Sequence, residues 1–317
     1  MTVLRIDPWE PEFGASVEAE DDPDRPPPPL EFDEPLAWAP ITCMPPATVP
    51  CCAFIDGVRR VDTRLFAEEA DVVAPALAGS WAVGVAWSSR PPVVDTVKVR
   101  RVIVLGRGLD HGTITASIGG HRIEYRVVAS DARTPKQVLD KLQDAMRTDE
   151  AALAQAVADT GRAEVIVQDG PLDYHGGKPT VGLVKRQTQR YLDTERQRLL
   201  AMLEVGQRTP LFRFERGRIP RYSWYARIAP RRRIDGSIAG LVRLESHQEA
   251  GLEETRRLAD TISGMLPSFA APMWRDARAP QNLYPVGQLE TVLRNRLGER
   301  DVVRRAVEAA LWRMLDD

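Results

Sequence analysis

Two apolar runs in this chain each stop at an Asp-Gly pair, and helical sequence lies between them. The first reads Cys51-Cys52-Ala53-Phe54-Ile55-Asp56-Gly57. The second reads Ala163-Glu164-Val165-Ile166-Val167-Gln168-Asp169-Gly170. Each is the pattern of a short strand that ends on a carboxylate, with a glycine that lets the chain turn away. If the two strands are neighbours in one sheet, both carboxylates emerge at the same edge. Adjacent carboxylates repel, so the pair needs a proton or a cation. A divalent metal meets that need, and a carboxylate-bound metal suits phosphodiester hydrolysis. Asp-Gly is also frequent in ordinary turns, so the pair alone leaves open two unrelated junctions.

The order of elements narrows the fold. After the strand that ends at Asp56, strand-like alternation recurs at Ser80–Ser88, Val97–Leu105, Thr113–Ile118 and His121–Val128, with Gly119-Gly120 as a hairpin turn between the last two. The period then changes. Thr134-Pro135 opens a helix, threonine as cap and proline in the first turn. A second helical stretch runs from about Asp149 to Thr160 and stops at Gly161, ahead of the strand to Asp169. Gln187–Val205 reads as a long amphipathic helix, residues 211–246 return to strands, and helices at about 251–264, 286–297 and 300–316 close the chain. Antiparallel strands followed by an α/β crossover predict a ribonuclease-H-like α/β fold: a mixed sheet flanked by helices, with a C-terminal helical segment.

Composition sets the limits. Of 317 residues, 43% are hydrophobic, enough for a substantial core. Residues 1–46 are rich in Pro, Asp and Glu and read as an acidic tail, disordered or ordered by a partner, ahead of a domain over 47–317. The formal net charge of -2 exerts no global pull on nucleic acid, so any such binding needs a local patch. Cys43, Cys51 and Cys52 form neither an even disulfide set nor a zinc-type spacing, which suits a reducing compartment. No run is long and apolar enough for a membrane span, and the acidic N-terminus lacks a signal pattern. The expected location is the cytoplasm.

Three further features bear on chemistry. Glu150 stands at the start of the second helical stretch, with Asp149 as a rival, and is a candidate third carboxylate; an acidic first turn also complements the helix dipole without any metal. Lys185 ends the apolar run Val181-Gly182-Leu183-Val184, on the side where Asp169 ends its strand, where a lysine would hold a scissile phosphate or simply be solvated. Residues 213–233 interleave arginines with aromatics. Arg221, Tyr222, Trp224, Tyr225, Arg231, Arg232 and Arg233 are the expected DNA contacts, guanidinium on phosphate and ring on base, unless the segment is merely a hairpin with one arginine-rich face.

Taken in order, the strand to Asp56-Gly57, an acid in the helix before the second aspartate, Asp169-Gly170-Pro171-Leu172, the run to Lys185, and Asn282-Leu283-Tyr284-Pro285 resemble the NurA nucleases over roughly residues 50–300. The resemblance implies a ribonuclease-H-like fold and manganese-dependent (or magnesium-dependent) 5′-to-3′ exonuclease and single-strand endonuclease activity. It also implies a homodimer that acts on single-stranded DNA and duplex ends with the hexameric HerA translocase in DNA end resection. By that resemblance Asp56, Glu150 and Asp169 are the metal carboxylates and Lys185 is the active-site lysine. The family usually carries a histidine shortly after its Tyr-Pro pair; here that stretch reads Val286-Gly287-Gln288-Leu289-Glu290-Thr291-Val292, with none. That absence is the ground for an alternative, a non-catalytic DNA-binding or translocase-docking module that kept the fold.

Overall fold

The computed structural model describes residues 2–6, 28–32, 34, 37–89, 91–172, 179–185, 191–216, 219–231, 238–272 and 281–316. The chain runs β1 (Val3–Ile6), β2 (Ile41–Thr42), β3 (Cys52–Glu69), β4 (Val72–Trp87), β5 (Val93–Leu105), β6 (Ile114–Ile118), β7 (His121–Ala129), α1 (Pro135–Asp159), β8 (Val165–Asp169), β9 (Thr180–Val184), α2 (Thr194–Met202), β10 (Gln207–Arg208), β11 (Phe212–Arg216), β12 (Ile219–Arg227), β13 (Leu241–His247), α3 (Leu252–Met265), α4 (Tyr284–Leu297) and α5 (Arg300–Asp316). The described strands form one mixed sheet in the order β2-β10-β12-β13-β9-β8-β3-β4-β5-β7-β6, with β1 added to β3 and β11 to β12. This is the α/β architecture that the element order implied, a mixed sheet flanked by helices and closed by C-terminal helices.

The crossover is where it was expected. β8 runs parallel to β3, in a register that pairs Ile55 with Gln168, and β9 continues parallel to β8. Between β3 and β8 lies α1. Thr134 caps it, accepting from Gln137 N at 3.3 Å, while Gln137 Oε1 accepts from Thr134 N at 3.2 Å. Two helical stretches were expected here; the structure has one continuous helix, because Leu142, Met146, Leu153 and Val157 keep an unbroken apolar stripe against the sheet. Glu150 is therefore mid-helix rather than in a first turn.

The strand to Asp56 also departs from expectation. β3 does not stop at Asp56 but continues to Glu69, forming a long antiparallel hairpin with β4 that turns at Ala70-Asp71. The apolar run ends at Asp56 because the strand passes there from the deep core to a region that is buried on fewer sides. Its pairing with β8 ends at that level, while its pairing with β4 goes on.

Side chains on successive residues of β3 enter opposite cores. Ile55 joins Trp81, Leu142, Leu153 and Ile166 under α1. Phe54 joins Val167, Trp224, Ile262 and Leu289 under α3 and α4. Each fully buried aliphatic of this kind contributes about 1.5–3 kcal/mol relative to exposure.

The acidic N-terminal segment is not wholly loose. β1 pairs with the far end of β3, Val3 opposite Glu68, and β2 pairs with β10. Glu34 is buried: its carboxylate accepts from Arg208 Nη1 and Nη2 at 3.2 Å, from Arg256 Nε at 3.0 Å and from Leu211 N at 2.6 Å. Trp38 packs near Phe212, with ring centroids 6.5 Å apart. Residues 7–27, which hold most of the proline- and acid-rich stretch, lie outside the described residues; the Glu34 carboxylate and Trp38 seat described parts of this segment on the domain. The expected helix at Gln187–Val205 is shorter, Thr194–Met202, with Asp193 as its cap; residues 186–190 lie outside the described residues.

Candidate metal centre

Because β3 and β8 are parallel and their pairing ends at Ile55 and Gln168, the next residues, Asp56 and Asp169, stand side by side. β8 ends at Asp169, and Gly170, at φ +99°, turns the chain there in a conformation that disfavours a side chain. The two Asp-Gly pairs thus do different work. At position 57 the glycine makes room: a Cβ there would lie 2.5 Å from Glu150 Oε1 and 3.0 Å from Met146 Cγ. α1 approaches β3 so closely at this point only because Gly57 has no side chain.

A third acid arrives from the other side of the sheet. Glu290, on α4, places one carboxylate oxygen within 4.8 Å of oxygens from both Asp56 and Asp169. Asp56 and Glu290 are buried and Asp169 is partly so. Asp56 Oδ1 accepts from Gly57 N at 2.8 Å, while Asp56 Oδ2 is buried with no hydrogen-bond partner among the described residues. Burial drives the Asp56 carboxyl well above the usual carboxylate range; the Asp169 charge adds to this and Lys185 opposes it. Glu150 lies across the sheet, outside the 4.8 Å group, yet near enough to feel the same field. Burial, then Asp169, pushes its carboxyl up to about 8. Three acids whose oxygens meet within 4.8 Å, one with a buried oxygen that has no hydrogen-bond partner among the described residues, fit a cation: oxygen donors of this kind suit Mg²⁺ or Mn²⁺.

Lys185 follows β9 directly and donates from Nζ to Asp169 Oδ2 at 2.6 Å and to Asn282 Oδ1 at 2.7 Å. It therefore sits against the acids, as its place in the sequence suggested. Asp149, the rival to Glu150, points elsewhere: it accepts from Trp81 Nε1 at 2.7 Å and faces Arg100 at 3.9 Å.

Residues 99–292, more than half of the chain, match the NurA domain. The chain belongs to the NurA family. The family is one of nucleases, and the acidic cluster accords with that. Asp56 precedes the matched stretch; Glu150, Asp169, Lys185, Asn282 and Glu290 lie within it. No curated protein matches the chain. Glu290 stands in the stretch after Tyr284-Pro285 that lacks the family's usual histidine, and its carboxylate joins Asp56 and Asp169. One sequence signal marked it. Val286, Leu289, Leu293 and Leu297 form the buried stripe of α4, and Glu290 is a charge set into that stripe. Asn282 was marked only as the first residue of the Asn282-Leu283-Tyr284-Pro285 motif, with no role attached.

The expected DNA contacts in β12 must be corrected. Arg221 is fully buried and donates from Nη1 to Glu245 Oε2 at 2.9 Å. Tyr222 is buried as well. Trp224 donates from Nε1 to Ser263 Oγ at 3.1 Å, and Tyr225 stacks on Phe212 with centroids 5.9 Å apart. Alternation suggested one open face, but both faces of β12 are covered, one by α3 and the other by the cluster around Tyr191, Leu199 and Phe212. Arg231 is exposed; Arg232 and Arg233 lie outside the described residues.

The buried arginines serve the centre indirectly. Glu245, held between Arg221 and Arg243, also accepts from Leu172 N at 3.1 Å and so ties down the turn that follows Asp169.

Gly57 offers a direct check on this geometry. Gly57→Ala should cost about 1–3 kcal/mol of stability, the usual range for overpacking. In a double-mutant cycle by denaturant unfolding, most of that cost should vanish when Glu150 is also alanine. An equal cost in both backgrounds would show that Glu150 is not what Gly57 accommodates.

Proposed function

We propose that the protein is a divalent-metal-dependent deoxyribonuclease. The reading rests on one observation: three carboxylates, Asp56, Asp169 and Glu290, meet within 4.8 Å, and one of them keeps a buried oxygen without a hydrogen-bond partner among the described residues. Asp56, Asp169 and Glu290 would hold the ion, with Glu150 adding negative charge from across the sheet. A bound Mn²⁺ or Mg²⁺ supplies Lewis-acid stabilisation of a phosphodiester and an activated water. The ammonium of Lys185, seated beside Asp169, is placed to receive a non-bridging oxygen of the scissile phosphate and to offset its developing charge.

Within this reading the substrates are single-stranded DNA and duplex ends, cut as a 5′-to-3′ exonuclease and a single-strand endonuclease. The chain acts as a homodimer with a HerA-type translocase in end resection, in the cytoplasm. Among the described residues no helix is long and apolar enough to cross a membrane. What supports the assignment is membership of a nuclease family together with the acidic cluster.

The test is to incubate the purified protein with end-labelled single-stranded and duplex DNA, with Mn²⁺, with Mg²⁺ and with chelator. Cleavage should need metal and stop with chelator. No cleavage under any of these conditions would leave a DNA-binding or docking module instead.

A further inference from the structure

We propose that Asn282 is a positioning residue that keeps the Lys185 ammonium on the scissile phosphate once a metal has claimed Asp169. The inference rests on the nuclease reading above and adds a residue that reading does not use. Lys185 has three N–H donors. One goes to Asp169 Oδ2 at 2.6 Å and one to Asn282 Oδ1 at 2.7 Å, which leaves the third for a phosphate oxygen. The first of these bonds is the vulnerable one. A carboxylate that gives its oxygens to a divalent cation is a weaker partner for an ammonium, and the cation itself repels the ammonium. A lysine on a flexible four-carbon stem then swings away unless something else holds it.

Asn282 is built to be that holder. Its side chain is fully buried. Its backbone is fixed, since Ala271 N donates to Asn282 O at 2.7 Å and the adjacent Leu283 bridges to Ala270. Only the carbonyl end of the amide can face an ammonium, so the orientation follows from the partner. The acceptor is neutral, so it steers Lys185 without competing with phosphate for its charge. Asn282 also lies just ahead of α4, the helix that carries Glu290, so the same short segment sets the lysine and one of the acids.

The experiment uses the full chain with two substitutions, Asn282→Ala and Asn282→Asp, the second keeping an oxygen at the same place. The chain has only five lysines, Lys98, Lys136, Lys141, Lys178 and Lys185, so ¹⁵N-lysine labelling resolves each ammonium, with Lys185→Arg for assignment. Ammonium protons held in hydrogen bonds exchange slowly with water and give a visible signal. With Mg²⁺ bound, the Lys185 signal should persist in the unaltered chain, vanish in Asn282→Ala and return in Asn282→Asp. In steady-state cleavage of single-stranded DNA, Asn282→Ala should lower kcat by about ten- to a hundredfold, the scale of a misplaced catalytic group, with KM and Mg²⁺ affinity little changed. A Lys185 signal that survives in Asn282→Ala with Mg²⁺, or a rate loss wholly accounted for by weaker metal binding, overturns the role of Asn282. Absence of cleavage by the unaltered chain overturns the nuclease reading, and it is read from a separate measurement.

Discussion

Replacing Asp56 or Asp169 with alanine is expected to abolish metal-dependent cleavage of DNA, a loss of about a hundredfold or more. Stabilisation of transition-state charge by a metal is worth several kcal/mol, and each 1.36 kcal/mol is a factor of ten. Both carboxylates belong to the group of three whose oxygens meet within 4.8 Å, so neither can be lost without opening a side of the site. Glu290→Ala should fall in the same range, since it removes the third oxygen. Stability should move the other way. In the metal-free protein Asp56 is a buried acid driven out of its ordinary range by burial and by Asp169. Relieving that crowding should leave the metal-free fold of Asp56→Ala as stable as before or slightly more so, whereas Asp169→Ala also removes the ion-pair partner of Lys185 and does not share that gain. Cleavage assays paired with denaturant unfolding, both with and without metal, read the two effects. Near-normal cleavage by either aspartate variant would show that the chemistry lies elsewhere.

Glu245→Gln is expected to cost about 3–5 kcal/mol of folding stability, although the residue touches no substrate. The substitution keeps the volume but removes the carboxylate charge that lies between two buried guanidiniums, Arg221 and Arg243, whose side chains are 0% and 3% exposed. Breaking a buried ion pair from one side leaves an uncompensated charge, and the cost is of that order. The acid dependence follows from the same contacts. Burial alone would raise the Glu245 carboxyl, but Arg243 and then Arg221 outweigh it and hold the group down to about 2, against 4.5 for a free glutamate. A carboxyl depressed by folding stabilises the native state fully above the unfolded value. That contribution is lost as pH falls from about 4.5 toward 2. The gap between the unaltered chain and Glu245→Gln should therefore be widest near neutrality and close in acid. Unfolding free energies at pH 7 and pH 3 decide it; a difference under about 1 kcal/mol at pH 7 would mean that the two arginines find other compensation.

Local sequence determined more of this protein than its composition suggests. The period change near Thr134 and the apolar run to Asp169 implied a crossover, and the sheet order, with β8 parallel to β3, is what brings Asp56 and Asp169 together. The same logic put Lys185 near Asp169 once β9 was read as a strand next to β8. Glu290 was half-legible, a charge on the apolar stripe of α4, though nothing local says which acids it would join. Other features depended on packing that no short window reports. Periodicity tells which way a side chain points, not whether something covers it. Thus Arg221, Trp224 and Tyr225 alternate as a half-exposed strand would, yet α3 and the Tyr191 cluster bury both faces. Nor does sequence say where a strand stops when one neighbour ends and another continues, which is why β3 runs on past Asp56. Charges are the hardest to foresee. Glu34 meets Arg208 across 174 residues, Arg221 meets Glu245 across 24 and Lys185 meets Asn282 across 97. A buried charge is tolerated only where its partner arrives, and which residue arrives is decided by the assembled sheet.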